Sequence, residues 1–388
     1  MTMEGAVEER KQARVTVKDL AYTNPGTIAG RYMRSFWQPI FEASKLPPGR
    51  AVTVQVMGEG WTLYRGETGT FHLVGERCAH RHAKLAVGWV EGDEIRCFYH
   101  GWKYGPTGEC VQQPAEPKPF CHRIRLRSAP VKEYLGLVFA YFGEGEPSEF
   151  PRYPEFENKK ILALETKHAF NYFNSIDNLL DATHLGFVHS DHAGGFDGRT
   201  DSPTIEAAET AWGASSRHAR PSGKVGHTQF GMPNIFRGRI FPLLPNLPTR
   251  EILIWFVPMD DESNHRFYVE ANDMSKEEFD TYLDMRKKTF GGQTRPAGEL
   301  AEAVLHGEIN RLDVDPRSTA YPIFVDDVAL IAQGRITDRT SERLGASDVG
   351  VLEVRRIWLR ELKALKEGRP LTPWRYDPTL PLMQADEE

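Results

Sequence analysis

Four residues between positions 78 and 100 have the types and order needed to grip an inorganic centre from two sides. Cys78 and His80 form a Cys-x-His pair. After sixteen intervening residues, Cys97 and His100 form a Cys-x-x-His pair. Two thiolates can hold one iron of a [2Fe–2S] centre while two imidazoles hold the other, which raises the reduction potential above that of an all-cysteine cluster. Zinc also takes two cysteines and two histidines, but structural zinc pairs use Cys-x-x-Cys or His-x3–5-His spacing, and interleaved pairs fit that scheme poorly. Plain burial of the cysteines would leave two histidine partners to chance. His82 rivals His80, and the tighter Cys-x-His loop favours His80, leaving His82 as a neighbour or loop residue. The other two cysteines, Cys110 and Cys121, lack histidines at useful spacing, although His122 adjoins Cys121. They read as buried small residues. Four cysteines in a chain of 388 residues do not make a disulfide framework.

A second set lies in NSIDNLLDATHLGFVHSDH, residues 174–192. Asp181, His184 and His189 form an Asp-x2-His-x4-His pattern. Asp181 and His184, three apart, would share a helix face. His184 and His189, five apart, would splay by about 140° on an ideal helix. Gly186 could mark a helix end or a π-type widening that brings both imidazoles onto one metal. Two neutral imidazoles plus a carboxylate from elsewhere make the face that non-haem Fe(II) uses to keep positions open for dioxygen and substrate. The bland reading is a helix with solvent-facing histidines. Against it, three of the thirteen histidines (His184, His189, His192) fall within nine residues, and a cluster upstream makes sense if its electrons have somewhere to go.

These sites need elements to carry them. Residues 1–45 are polar with a few apolar anchors (Tyr32, Phe36, Trp37). Residues 46–150 are a succession of β-branched and aromatic runs, such as AVTVQVMG, WTLYRG and GLVFAYFG, punctuated by Gly-rich turns. They predict a small antiparallel β domain. The stretch GEGEPSEFPRYPEFENKK marks the boundary, and residues 151–388 mix strands and helices. Helices are expected over 171–190, 297–306, 324–334 and 350–367, and over 275–289, where Ser275 and Glu278 form a capping box. Strands are expected over 204–270, clearest in REILIWFVP and HRFYVEA. The fold class is all-β first and α+β second.

Composition narrows the function. A net charge of −6 argues weakly against a nucleic-acid partner, which would favour a basic face. The N-terminus has no apolar signal-like core, and runs such as ILIWFVPM fall far short of the ~18 residues that span a bilayer. A cytoplasmic protein without a membrane partner is the simplest reading. No Gly-x-Gly-x-x-Gly element opens a helix after a strand, so no dinucleotide site is expected. Reducing dioxygen to the level of water takes four electrons. Two can come from substrate, and the others, ultimately from NAD(P)H, require a separate reductase, with or without a ferredoxin.

Residues 78–110, including Gly101, Trp102 and the Gly105-Pro106-Thr107-Gly108 turn, resemble the Rieske domain of aromatic ring-hydroxylating oxygenases. In that family the turn closes over the cluster and the Trp helps pack it. Asn178, Asp181, His184 and His189 fall on the family's Asn-x2-Asp-x2-His-x4-His motif. The resemblance implies that His184 and His189 bind one mononuclear Fe(II), that Asp181 bridges the two metal centres without being a ligand, and that Asn178 sits near the iron. It also implies a third ligand late in the chain, within FVDDVALIAQGRITDRTSERLG. There Asp326 and Asp327 compete, and Asp327 aligns with the family's Asp before a Val-Ala pair. Asp191 and His192 would be supporting or surface residues. Length and flanking text are similar to the phthalate-type branch of oxygenase (alpha) components. That implies a helix-grip-like catalytic domain, a head-to-tail homotrimer, and hydroxylation or oxidative demethylation of a small aromatic compound, carboxylated and heterocyclic ones included. Arg237 and Arg239, within the pocket-lining candidates 230–260, could pair a substrate carboxylate, although surface strand positions suit them slightly better. The alternatives are an electron-transfer Rieske protein without its own catalysis and a zinc-stabilised binding module.

Overall fold

The structure, a computed structural model, describes residues 14–191, 202–240, 250–290, 295–318 and 320–382. The short runs of the first 140 residues become strands β1 (Gln38–Glu42), β2 (Arg50–Val56), β3 (Glu59–Arg65), β4 (Phe71–Gly75), β5 (Trp89–Glu91), β6 (Glu94–Arg96), β7 (Lys103–Tyr104), β8 (Cys110–Gln112), β9 (Ser128–Ala129), β10 (Val131–Tyr134) and β11 (Leu137–Ala140). They pair into three small sheets, ordered β1-β11-β10, β2-β3-β4-β9 and β5-β6-β7-β8.

The second half is built on one seven-stranded antiparallel sheet. Its strands are β12 (Lys160–His168), β13 (Thr204–Glu209), β14 (Gly213–Ala219), β15 (Val225–Gly231), β16 (Ile235–Ile240), β17 (Arg250–Pro258) and β18 (Asn264–Asn272). The order is β12-β18-β17-β16-β15-β14-β13. Eight helices among the described residues complete the chain: α1 (Ile28–Arg34), α2 (Pro154–Glu157), α3 (Tyr172–Leu180), α4 (His184–Val188), α5 (Lys276–Phe290), α6 (Ala297–Leu305), α7 (Tyr321–Ala332) and α8 (Val349–Lys366). The all-β and α+β halves expected from the sequence are both present. None of the described helices is long and apolar enough to cross a membrane.

The large sheet is a partition. Side chains alternate across a strand, so β17 and β18 each show a different set to either side. On one side Trp255 meets Phe139 of β11 and Tyr153, with ring centroids 5.5 and 5.8 Å apart. On the other, Arg266 lies over Phe170 and Phe256 and donates to Ser175 Oγ of α3 at 3.1 Å. The β-rich half covers the first face and the helices cover the second. This double burial explains why REILIWFVP reads as a nearly continuous apolar run rather than an alternating one. Two smaller apolar cores stand apart from the main one. One gathers Cys78, Leu85, Cys97, Trp102 and Tyr104. The other joins α6 to α7 through Ala301, Tyr321, Phe324 and Val325.

Two expectations are revised by packing. Residues 38–42 are not part of a separate N-terminal segment but form β1, paired with β11. Residues just upstream lie against the second half: Tyr172 Oη donates to the Leu20 carbonyl, and Asp261 accepts from the Thr23 amide, both at 2.7 Å. The helix expected over 171–190 breaks at Asp181, whose backbone is extended. The capping box stands as read: Ser275 N donates to Glu278 Oε2 at 2.8 Å, and Glu278 N to Ser275 Oγ at 3.2 Å.

Candidate functional site

The first site sits at the tip of the β5–β8 sheet, on two loops of similar construction. Each is closed by a backbone bond across its ends. Cys78 N donates to Ala83 O at 2.9 Å, and Cys97 N to Trp102 O at 2.8 Å. Gly101 has φ +72°, and a Cβ there would come within 3.0 Å of Pro114. The second loop therefore needs glycine both for its left-handed backbone and for clearance.

These loops bring together the four residues predicted from spacing. The His80 and His100 rings lie 4.6 Å apart, and Trp102 stacks on His80 at 4.8 Å and 8°. Nδ1 of both histidines is buried without a hydrogen-bond partner. Leaving a buried ring nitrogen unpaired is costly, whereas a metal ligand needs that nitrogen free. With two buried free cysteines beside them, this donor set fits a [2Fe–2S] cluster. Tyr104, which the sequence reading overlooked, places its hydroxyl 3.1 Å from Cys78 Sγ and accepts the Ala79 amide at 3.1 Å. Burial raises the Cys78 thiol pKa, while the Tyr104 and His80 hydrogen bonds act the other way.

His82 is exposed in a turn with φ +60°, which fits a loop role. Cys110 is buried and Cys121 only half-buried. The Gly105–Gly108 turn follows directly on β7. Its bonds run to the 125–128 segment, with Leu126 N donating to Gly108 O at 2.7 Å and Ser128 Oγ to Thr107 O at 3.1 Å. The residue resting on the second ligand loop is Pro114.

The second site forms where α3 gives way to α4. Asp181 ends α3, and its Oδ1 accepts from the amides of Thr183 at 2.8 Å and His184 at 3.2 Å. Its backbone carbonyl, not its carboxylate, accepts from His184 Nδ1. Fixing Nδ1 in this way turns Nε2 toward a metal. His189 caps the end of α4, so the helix stops after Val188 rather than at Gly186. The two rings come to 5.4 Å despite their five-residue spacing.

The carboxylate facing these rings is Asp326, which corrects the sequence assignment of Asp327. Asp326 Oδ1 stands 3.1 Å from His189 Nε2 and 3.7 Å from His184 Nε2. One ligand atom from each of His184, His189 and Asp326 falls within 4.8 Å of the others. Burial pushes the Asp326 carboxyl up, but His189, His184 and Arg266 more than offset this, so its pKa lies below the usual value. Its Oδ1 is buried without an aligned hydrogen-bond donor. Two inward imidazoles and one such carboxylate match the 2-His-1-carboxylate set.

Asp327, about 100° around α7, points away and meets His168 Nδ1 at 2.9 Å, both side chains being 2% exposed. Burial, helped by Arg266, lowers the His168 pKa despite Asp327. A neutral ring then donates from Nδ1 to Asp327 and accepts at Nε2 from Thr166 Oγ1, 2.9 Å away. This chain ties β12 to α7 and fixes which Asp faces the histidines.

Asn178 and Asp181 line an open cleft of about 410 Å³ with Asp177, Asp338, Glu342 and Asp348. Asp177 is held by Arg339 at 2.9 Å and Arg355 at 2.8 Å. Asp191 pairs with Arg311 at 3.1 Å, while His192 lies outside the described residues. Arg237 is neither on the surface nor near the histidines. It is buried on the opposite sheet face, 3.3 Å from both Glu155 and Glu251. Arg239, two residues on, shares that face.

Residues 36–134 match the family model of the Rieske [2Fe-2S] domain. The chain is 30% identical over 363 residues, 90% of its length and 80% of the relative's, to the 5,5'-dehydrodivanillate O-demethylase oxygenase subunit of Sphingobium sp. (strain NBRC 103272 / SYK-6). It is 26% identical over 373 residues, 87% of its length and 83% of the relative's, to the phthalate 4,5-dioxygenase oxygenase subunit of Pseudomonas putida. The fold is similar to that of the terminal oxygenase of carbazole 1,9a-dioxygenase from Nocardioides aromaticivorans IC177, with TM-score 0.63 at 17% identity over 89% of this chain and 96% of that one. With its [2Fe-2S] domain, its partitioned sheet and relatives matched along most of its length, the chain belongs to the Rieske non-haem iron oxygenases, as an oxygenase subunit.

Proposed function

We propose that the chain is a terminal oxygenase that hydroxylates or oxidatively demethylates a small aromatic compound, holding its [2Fe–2S] cluster on Cys78, His80, Cys97 and His100 and one Fe(II) on His184, His189 and Asp326. The convergence of those last three side chains carries the reading, because an electron-transfer Rieske protein has no use for it. When bound, the iron supplies a place for dioxygen beside substrate, and the cluster supplies the electrons.

The chain's own residues position these groups. The Asp181 carbonyl holds the His184 tautomer, and its carboxylate pins the start of α4. A separate NAD(P)H-dependent reductase, with or without a ferredoxin, delivers the reducing equivalents. We place three copies head to tail, with the His80/His100 edge of one against the Asp181 cleft of the next. Two features support this. Trp89, Phe98 and Tyr99 near that edge are more than half exposed, and the cleft is rich in carboxylates that suit Arg81 and the histidines.

Relatives are named for a demethylation and a ring dioxygenation, so one iron site serves either outcome according to substrate pose. The test is product analysis with NADH, a surrogate reductase and a panel of aromatic acids and methoxyarenes. About three irons per chain, with inorganic sulfide, should accompany activity. Asp181→Ala should keep all of this metal yet lose turnover by at least about a hundredfold, and retained turnover would refute the bridging role.

A further inference from the structure

Cys110 and Cys121 belong to neither donor set, yet the fold brings them together. Cys110 opens β8, and Cys121 opens a short 3-10 turn, Cys121–Arg123. Two backbone bonds join these pieces: Cys110 N donates to Ile124 O at 3.1 Å, and Ile124 N to Cys121 O at 2.9 Å. Both side chains pack into the apolar core that also holds Cys78, Cys97 and Trp102. The two thiols meet there. Burial first, and then the Cys121 thiol, push the Cys110 pKa up to about 12. Both cysteines are free.

The chain between them covers the ligand loops. Gln113 is buried, and its Oε1 accepts from Phe120 N at 2.6 Å, which draws the two ends of the segment toward each other. Pro114 rests against Gly101 of the second ligand loop. The Phe120 ring meets Trp102 edge-on, with centroids 5.5 Å apart, and Trp102 in turn stacks on His80. A covalent link from Cys110 to Cys121 fastens both ends of this cover at once, because it closes the loop that carries Gln113, Pro114 and Phe120.

We propose that Cys110 and Cys121 are an oxidation site, converted by hydrogen peroxide to a disulfide that clips residues 110–121 over the two ligand loops. Cys121, half-buried where Cys110 is buried, meets the oxidant first. Its S–H becomes S–OH as the O–O bond of the peroxide breaks and one water leaves. The Cys110 sulfur then displaces that hydroxyl, which departs with the Cys110 proton as a second water, and the S–S bond forms. Two electrons leave the pair of sulfurs, and one peroxide becomes two waters. A thiol reductant reverses the step by exchange. The thiol chemistry needs no metal, whereas the protection given to a cluster rests on the oxygenase reading above.

Peptide mapping of the holoprotein tests this. Trypsin cuts after Lys103 and after Arg123 but not between Lys118 and Pro119, so Cys110 and Cys121 share one peptide, apart from Cys78 and Cys97. After a slight excess of hydrogen peroxide, that peptide should be lighter by two hydrogens and take up no iodoacetamide. Dithiothreitol should return both alkylation sites. In Cys121→Ser, Cys110 should stay alkylatable through the same treatment. Two alkylatable thiols in the treated, unaltered protein overturn the proposal even if the serine variant fails to fold, and so does sulfinic acid at either sulfur without the linked peptide. The clipped form should lose its visible cluster absorption to an iron chelator roughly threefold more slowly than the untreated form and than equally treated Cys121→Ser. Equal rates overturn the clip. A protein without visible absorption or inorganic sulfide fails the cluster reading instead, and the thiol map is read independently of it.

Discussion

The Tyr104 hydroxyl stands 3.1 Å from Cys78 Sγ, the sulfur that the proposed cluster would use. A hydrogen bond to Cys78 Sγ stabilises the more negative, reduced state of a cluster. Tyr104→Phe should therefore lower the reduction potential, by roughly 30–60 mV if the bond contributes about 1 kcal/mol. Redox titration followed by EPR reads this directly. The two neighbouring aspartates make a sharper comparison. Asp326→Ala should empty the mononuclear site and leave the visible spectrum of the cluster intact. Asp327→Asn should keep a measurable share of iron, because Asp327 meets His168 rather than the metal-facing histidines. Metal analysis of the two proteins checks both outcomes, and iron lost only from the Asp327 variant would restore the alignment-based choice. That Cys78, His80, Cys97 and His100 come together was legible because each pair lies on one short loop, where spacing nearly dictates geometry. The choice between Asp326 and Asp327 was not, because it depends on a contact with His168, 159 residues away. The burial of Arg237 was hidden likewise, since it depends on which face of the sheet its strand presents.

Among the elements, the long strands and helices followed their periodicity, and the Ser275 box marked the start of α5 as its chemistry required. The α3–α4 junction was less legible. A helical pattern ran through residue 190, but Asp181 bonds the following amides and breaks the helix there. A side chain that competes for backbone donors can override periodicity. The strands carry a pH signature of their own. His218 on β14 faces Gly226 on β15, where a Cβ would come within 2.2 Å of its ring. Burial, with Arg220, His227 and Arg217, pushes the His218 pKa down to about 4. The folded state thus prefers the neutral ring. Its contribution is complete above the unfolded value near 6.5 and is lost as pH falls toward 4, up to about 3 kcal/mol in all. Urea midpoints should drop across that window, and the drop should be smaller in His218→Asn.

At the scale of the whole molecule, the sheet keeps two chemistries apart. The first half holds Cys78, His80, Cys97 and His100 and the second His184, His189 and Asp326, and two separate apolar cores support them. The two-part architecture was legible because strand-rich and mixed segments alternate on a scale of a hundred residues. The exact start of the β-rich part was not, because β1 finds its partner β11 almost a hundred residues later. Separate support implies separate lability. A ferrous chelator should abolish turnover while the brown colour persists, and added Fe(II) should restore activity without any sulfide. Bleaching in step with inactivation would mean that the two centres stand or fall together.

The loops around Cys78 and Cys97 carry that thought further. Each is closed by its own backbone bond, so the cage owes little to the distant helices. A polypeptide with a damaged oxygen-activating end can still mature into a coloured, electron-accepting particle. Such a particle would take up electrons and return no product. Colour during purification therefore certifies only half of this enzyme.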